Sequence, residues 1–227
     1  MIIFGNPNQK KKELKDLILN LDIDEKYLVY KKEFRKEIIE NINSSMVVLD
    51  IGKSMREHYH SINCIEKKTL DINLFENYPD FQLDLSEEIE IEKTELSERF
   101  DVIICLAVLE HVYNPFIAIK NLRKMLKKDG VIYGYVPFLY HYHAPEDLYF
   151  QDYYRYSKDG LAYLFKEFNN LKLYPVRGRL SSSMNILFGS LWKRIFEKFY
   201  FNQILDKLVS KNKNFKQTGG FNFIATK

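Results

Sequence analysis

Three acidic side chains follow short apolar runs and are placed to bind a ligand. Asp50 ends the run 46–50, Asp71 ends a second run 21 residues later, and Asp84 ends a third, weaker run. Gly52 follows the first acid and allows the backbone to approach a ligand closely. A carboxylate at the end of the second strand of such a sheet can accept hydrogen bonds from both hydroxyls of a ribose. The acids therefore predict a site for a ribose-containing ligand, with Asp84 near an adenine amino group.

Histidines form the second group of candidates. His111 follows the apolar run 100–106, and His141 and His143 lie in a tyrosine-rich segment that begins after Pro137. Imidazole changes its charge near neutral pH and can remove a proton from a hydroxyl nucleophile. Each of the three is a candidate general base. For each, the alternative is a histidine that only fixes its loop by hydrogen bonding.

Two kinds of element alternate along the chain and must position these side chains. Short apolar runs predict strands, and amphipathic stretches predict helices, two of them within 10–42. Gly130 is expected to end a helix over 114–127, and Ser157 is expected to cap a helix over 157–168. Alternation of this kind indicates a mostly parallel sheet that binds its ligand at the carboxyl ends of the strands. The predicted strands are 46–50, 68–72, 81–85, 100–106, 131–136, 171–176 and 221–226.

We divide the chain into an N-terminal helical preface, residues 1–45, and a main domain, residues 46–227, with a helical insertion at about 181–215. Within the insertion, residues 184–209 predict an amphipathic basic helix. Four roles stay open for this helix: a lid over the acceptor, a homodimer face, a peripheral membrane contact, or packing against its own domain.

Composition excludes several classes of protein. The net charge of +3 comes without a clustered basic face, so we expect no nucleic-acid partner. Two cysteines give no disulfide framework, and neither a signal sequence nor an apolar stretch of the roughly 18 residues of a membrane span is found. We therefore expect a cytoplasmic protein. Tyr154 and Lys158 have the spacing of a short-chain dehydrogenase pair, but the glycine-rich nucleotide motifs are missing from the sequence.

Six segments together resemble the class I S-adenosylmethionine-dependent methyltransferases, in particular the small single-domain type common in glycan and natural-product pathways. They are VVLDIGKS (47–54), TLDIN (69–73), FQLDL (81–85), FDVIICLAVLEHV (100–112), LRKMLKKDGVIYGYVP (122–137) and GGFNFIATK (219–227). The resemblance implies a Rossmann-like α/β fold: a seven-stranded, mostly parallel sheet with helices on both faces and an antiparallel last strand. It also implies methyl transfer from S-adenosylmethionine to a small-molecule acceptor, which we expect to be a sugar or nucleotide-sugar hydroxyl or amine.

The resemblance assigns cofactor contacts to nine residues. Asp50, Gly52, Lys53 and Ser54 would lie at the methionine end, Asp71 at the ribose, Asp84 and Leu85 beside the adenine, and Leu106 and Ala107 beneath the cofactor. The family has a second glycine where this chain has Ser54, whose hydroxyl is expected to reach the cofactor. The alternative is a catalytically degenerate Rossmann-like domain that acts as a binding or regulatory module.

Glu110 and His111, with a later histidine, also resemble part of the metal site of small-RNA 2′-O-methyltransferases. That site needs a second glutamate where this chain has Ala107. We therefore predict no metal site.

Overall fold

Eight strands form one mixed sheet with five α-helices in the computed structural model, which describes residues 7–19, 21–24, 31–144, 150–196, 206 and 214–227. The strands are β1 (Asp22–Ile23), β2 (Val47–Ile51), β3 (Glu66–Asp71), β4 (Phe81–Gln82), β5 (Phe100–Leu106), β6 (Leu126–Pro137), β7 (Asn170–Val176) and β8 (Gly220–Thr226). The helices are α1 (Pro7–Leu19), α2 (Lys31–Asn41), α3 (Pro115–Met125), α4 (Lys158–Leu164) and α5 (Arg179–Phe196).

The strand order is β1-β7-β8-β6-β5-β2-β3-β4. All neighbours run parallel except β8, which is antiparallel to both β6 and β7. The predicted Rossmann-like α/β sheet with an antiparallel last strand is therefore confirmed, and all seven predicted strands are present. The eighth strand, β1, lies in the preface that we predicted as helical, and it pairs with β7 through Asp22 and Ile23.

Helices cover both faces of the sheet because the central strands are buried on both sides. Side chains alternate along a strand, so Leu49 packs in the cluster that holds α3 and α4, whereas Val48 packs in the cluster that holds α2. In α2, Phe34 and Ile38 are fully buried. The ring of Phe34 lies 6.2 Å from that of Tyr133 on the sheet. The preface helix is thus part of the core.

One predicted boundary is wrong. Gly130 does not end α3, because Leu126 already has an extended backbone and pairs with Phe100, which makes 126–137 one long strand. The connection between β2 and β3 contains a six-residue 3₁₀ turn, Arg56–Ser61. The predicted cap is confirmed: the Ser157 hydroxyl accepts a bond from the Gly160 amide at 3.1 Å.

Gly134 of β6 is required by close packing against β8. A Cβ at this position would lie 1.9 Å from Cζ of Phe223, whose ring covers the glycine. The ring of Phe223 in turn packs at 4.9 Å on that of Phe165. This contact fixes β8 in the middle of the sheet.

The expected amphipathic helix of the insertion begins as α5. Ile186, Leu187 and Phe188 are exposed on it, Leu187 at 73%. Of the apolar stripe expected on this helix, Phe188 is exposed, and Leu191, Trp192, Ile195 and Phe199 lie outside the side chains that the structure describes. No helix among the described residues is long and apolar enough to cross a bilayer.

Candidate active site

A cavity of about 420 Å³ opens at the carboxyl ends of β2, β3 and β5. This volume is in the range of small-molecule sites. Six of the nine predicted cofactor residues line it, namely Gly52, Lys53, Asp71, Asp84, Leu85 and Ala107. A smaller adjoining cavity of about 160 Å³ is lined by Ser54 and Leu106, and also by Gly52, Lys53 and Ala107. Asp50 lines neither cavity.

The turn after β2 brings backbone to the cavity wall. Gly52 has φ +65°, a conformation in which side chains are strained, and a Cβ there would lie 3.1 Å from Cγ2 of Val108. The next residue, Lys53, extends its ammonium group over the ring of Tyr78, 4.1 Å from the centroid. The turn therefore presents an open backbone edge with one cation beside it.

Asp50 is buried beneath this turn, with 1% of its surface exposed. Its Oδ2 accepts a bond from the Met55 amide at 3.2 Å. Burial raises the pKa of Asp50 to about 7, against the opposing hydrogen bonds from Met55 and Ser54. The observed contacts of Asp50 thus organise the turn, and its predicted contact with the cofactor stays a prediction.

Ser54 joins two strands at the site. Its hydroxyl accepts a bond from the Leu106 amide at 2.9 Å and donates to the carbonyl of Ile51. The observed bonds of this hydroxyl, including a longer contact of 3.4 Å to the carbonyl of Leu106, are all internal. Its expected bond to the cofactor therefore also stays a prediction. A glycine in its place would leave the Leu106 amide without this acceptor.

Asp71 is held by two residues that the sequence analysis did not find. Oδ1 accepts bonds from the Asn73 amide at 2.9 Å and from Asn73 Nδ2 at 3.1 Å, and Oδ2 accepts from the Tyr78 hydroxyl at 2.9 Å. A carboxylate has about four acceptor positions. Asp71 is therefore fixed in orientation with acceptor capacity left for a ligand in the cavity.

Asp84 and Leu85 follow β4 in a loop that hydrogen bonds hold in place. Oδ1 of Asp84 accepts from the Ser86 amide at 2.8 Å, and the buried Asn121 donates to the carbonyl of Leu85 at 3.1 Å. These bonds fix the side of the cavity that the sequence predicts to hold an adenine.

His111, which follows β5, forms a cluster with Glu110 and His143 beside the cavity. Nε2 of His143 lies 3.4 Å from Oε1 of Glu110, and Nε2 of His111 lies 4.0 Å from the same oxygen. Contact with the Glu110 carboxylate raises the pKa of His143. His111 lines the cavity, and its Nδ1 lies 2.8 Å from the carbonyl oxygen of Gln151.

His141, the third candidate base, lies in a different setting. It is exposed, its ring stacks on Tyr140 at 4.2 Å, and its carbonyl accepts bonds from Arg155 and His143. The structure brings the rings of His111 and His143 to 4.9 Å from each other, and of the three histidines only His111 lines the cavity.

Asp152 connects two parts of the segment that follows β6. It pairs with Arg155 and accepts a bond from the amide of His143 at 2.9 Å. Although burial opposes ionisation, the bonds from Arg155 and His143 lower the pKa of Asp152 to about 2. Pro145 and Asp147 of the same tyrosine-rich segment lie outside the described residues.

Aromatic side chains complete the cavity and were also missed by the sequence analysis. Tyr113, Phe150 and Tyr153 line it, and the ring of Phe150 lies 4.6 Å from that of His111. The high tyrosine content of this segment indicated such a wall but did not identify its members.

Comparison with known proteins agrees with this geometry. A profile described as a methyltransferase domain matches residues 25–171. The ubiquinone biosynthesis O-methyltransferase of Glaesserella parasuis serovar 5 is 46% identical over 37 residues, which are only 16% of this chain and 16% of that protein.

Solved structures share the fold at low identity. The chain is 17% identical to an S-adenosylmethionine-dependent methyltransferase from Archaeoglobus fulgidus, with 87% of this chain and 92% of that one covered and a TM-score of 0.50. A phosphoethanolamine N-methyltransferase from Haemonchus contortus, in complex with phosphomonomethylethanolamine and S-adenosylhomocysteine, is 14% identical, with a TM-score of 0.48. That match covers 84% of this chain and half of the other. The chain thus spans half or less of the length of the Glaesserella parasuis and Haemonchus contortus proteins. The profile match spans well over half of the sequence, so the chain belongs to the methyltransferase domain family.

Proposed function

We propose that this enzyme methylates a hydroxyl group of a small molecule in the cavity at the carboxyl ends of β2, β3 and β5. The observation that supports this most directly is the pairing of two walls. Asp71, Asp84 and His111 all line the cavity. Asp71 and Asp84 belong to β3 and the loop after β4, on one side of β2 in the sheet, and His111 follows β5, on the other side. The two carboxylates can accept hydrogen bonds from a nucleoside, and the imidazole of His111 can remove a proton from the acceptor.

The residues present fit S-adenosylmethionine. Asp71 keeps acceptor positions for ribose hydroxyls, and Asp84 is positioned to accept from the adenine amino group. Because Gly52 has no Cβ, the turn after β2 leaves room for the cofactor beside its backbone. In the smaller cavity, Arg35 and Arg56 add positive charge beside Lys53, which suits the carboxylate at the methionine end. When bound, the cofactor supplies an electrophilic methyl group.

The protein's own part in the reaction is to orient the acceptor and remove its proton. A carbonyl oxygen only accepts, so Nδ1 of His111 donates to Gln151 and Nε2 keeps its lone pair when the ring is neutral. Both ring nitrogens of His143 already face partners, Glu110 on one side and His141 with Asp152 on the other. We therefore assign the contact with the acceptor to His111, and a positioning role to His143 and His141.

For the acceptor we favour a sugar or nucleotide sugar, and no nucleic acid. Tyr113 and Tyr153 line the cavity and are 46% and 49% exposed, so their rings are available to pack on a sugar face. An amine acceptor fits the same wall but has less need of a base than a hydroxyl. Such a substrate places the enzyme in glycan biosynthesis.

Two proposals concern the enzyme's surroundings. The exposed Ile186, Leu187 and Phe188 of α5 support a homodimer contact or a peripheral membrane contact in the segment 184–209. Cys64 and Cys105 are free thiols, which fits a reducing cytoplasm.

Calorimetric titration of the full chain with S-adenosylmethionine and with S-adenosylhomocysteine tests the cofactor side. A panel of sugars, nucleotide sugars and phenols, assayed for methyl transfer, then tests the acceptor side. We expect binding of both cofactor forms and transfer to a sugar hydroxyl. Absence of affinity for either form would overturn the proposal, and transfer confined to phenols would overturn the acceptor class.

A further inference from the structure

We infer that Glu110, His111 and His143 form a binding site for one divalent transition-metal ion. The site would lie on the acceptor wall, which is the side of the cavity that His111, Tyr113 and Tyr153 line. The ligand atoms of Glu110, His111 and His143 all lie within 4.8 Å of one another, and this is the one such cluster of three among the residues that the structure describes. The inference departs from the sequence-based prediction of no metal, which rested on Ala107 in the place of a second glutamate, because three ligands suffice for an ion that keeps an open position.

The distances suit an ion placed between the three side chains. Ligand atoms about 2.1 Å from a tetrahedral ion lie about 3.4 Å from one another. Nε2 of His143 and Oε1 of Glu110 are already 3.4 Å apart. Nε2 of His111 is 4.0 Å from the same oxygen, so a rearrangement of about 0.6 Å would bring this pair to the tetrahedral separation.

Both imidazoles are oriented as metal-binding histidines usually are. A liganding histidine normally donates its other ring N–H to a carbonyl or carboxylate, which fixes the ring. Here Nδ1 of His111 faces the carbonyl of Gln151 at 2.8 Å. Nδ1 of His143 faces the carbonyl of His141 at 3.2 Å and Oδ2 of Asp152 at 3.1 Å. The two Nε2 atoms are left to converge on Glu110.

The carboxylate of Glu110 supplies a second, independent observation. Its side chain is 1% exposed, and neither oxygen accepts a hydrogen bond from any residue in the described part of the chain. A buried carboxylate requires a compensating charge. One proton on His143, whose Nε2 lies 3.4 Å from Oε1, would supply it, but would leave Oε2 of Glu110 without a hydrogen-bond partner among the described residues. One dication compensates the carboxylate and uses both lone pairs.

The ligand types favour one class of ion. Two imidazole nitrogens and one carboxylate suit Zn²⁺, Fe²⁺ or Co²⁺, whereas Mg²⁺ and Ca²⁺ prefer oxygen alone. The side chains fill three positions and leave at least one open toward the cavity, because His111 lines it.

The role of the ion deepens the proposed function and rests on it. The acceptor oxygen would take the open position, where the ion lowers the pKa of its hydroxyl group. The O–H proton then leaves to solvent water, and the oxygen forms the bond to the methyl carbon while the S–CH₃ bond electrons remain on sulfur. His111 serves as a ligand in that state and as a base in the metal-free protein.

Metal binding to the untagged full chain tests the inference directly. After chelator treatment, the protein is titrated with Zn²⁺ by calorimetry and with Co²⁺ by visible absorption. We expect one equivalent of each, with the Co²⁺ spectrum of a site containing nitrogen ligands. Glu110→Gln and His143→Ala should each weaken binding by roughly tenfold or more. The double variant His58→Ala/His60→Ala, on the 3₁₀ turn at Arg56–Ser61, is the matched control and should bind like the native chain.

Absence of stoichiometric binding, or binding that both Glu110→Gln and His143→Ala leave unchanged, would overturn the inference and leave a plain ion-pair cluster. Thermal melting of each variant separates loss of the site from loss of the fold, and the partly exposed His143 is the safer variant because Glu110 is buried. Titration with S-adenosylhomocysteine in the same samples reports on the proposed function separately. If the chain binds S-adenosylhomocysteine but no metal ion, the metal site is overturned and the proposed function stands.

Discussion

The two walls of the cavity are built in different ways. The cofactor wall consists of strand ends: Asp71 ends β3, and Gly52 and Asp84 follow β2 and β4. The carboxylates of Asp71 and Asp84 are held by residues two to seven positions away. The acceptor wall consists of loops that are held by distant contacts. His111 bonds to Gln151, 40 residues away, and the amide of Tyr153 donates to the carbonyl of Glu110 at 2.8 Å.

This difference separates two tasks. A sheet edge offers acids and glycines at positions that the strand register determines, which suits a cofactor of constant shape. Loops tied together by side chain and backbone bonds can change their residues without disturbing the sheet. We therefore expect changes on the acceptor wall to alter turnover, and changes on the cofactor wall to alter affinity or stability.

The largest effect should come from His111→Ala. Loss of the group that contacts the acceptor proton should lower kcat by about 10²- to 10⁴-fold, with little change in the affinity for S-adenosylhomocysteine. Steady-state assays with the best acceptor of the panel, together with calorimetry, measure both. The exposed His60→Ala is the control. Full turnover in His111→Ala would remove this residue from the chemistry and weaken the division between the walls.

Asp50→Asn should change how stability depends on pH. The folded pKa of Asp50 is about 7 because of burial, whereas an unfolded aspartate titrates near 3.9. The stability that its bound proton gives the native protein is therefore full below about pH 4 and is lost as pH rises to about 7.

Asparagine lacks this titration. The free energy of unfolding of Asp50→Asn, relative to that of the native protein, should therefore rise by at most about 1.4 kcal/mol per pH unit between about pH 4 and pH 7. Above about pH 7 this difference should stay constant. Urea unfolding at pH 5, 6, 7 and 8 measures this difference. A constant difference across the series would mean that Asp50 titrates normally.

Asp71→Ala tests the cofactor wall. Loss of two charge-assisted bonds to the ribose should cost about 1.5–3 kcal/mol of binding free energy, or roughly 10- to 150-fold in the Kd of S-adenosylhomocysteine. Asp159→Ala, at an exposed position of α4, removes the same charge elsewhere. An unchanged Kd in Asp71→Ala would show that the ribose lies elsewhere.

Ser54→Ala should affect stability more than binding. It removes the acceptor of the Leu106 amide and the donor to Ile51, both at buried positions, at a cost of about 1–3 kcal/mol in the free energy of unfolding. Ser54→Gly should lose at least as much, although glycine is the usual residue of the family. Urea unfolding with the exposed Ser45→Ala as the reference measures both, and equal stability of all three variants would contradict this role.

The cofactor wall was largely predictable from the sequence, and the acceptor wall was not. Apolar runs that end in acids indicated β2, β3 and β4 and their side chains, because strand ends fall at one edge of a sheet. No pattern indicated that Tyr78 would bond to Asp71, or that a main-chain carbonyl at Gln151 would orient His111, since a backbone partner has no signature of residue type. Strand β1 was missed because two residues are too few for a periodicity.

The position of β8 has a consequence for how the chain folds. This strand lies between β6 and β7, and its partners in β6 are 83 to 95 residues earlier in the sequence, at Pro137↔Gly220 and Val131↔Thr226. Until it arrives, β6 and β7 each present an open edge, which is the kind of surface that promotes association between partly folded chains. Contacts of such sequence separation also form slowly. Insertion of Phe221 and Phe223 is thus expected to be a late step, and partly folded chains should be most prone to aggregate before it.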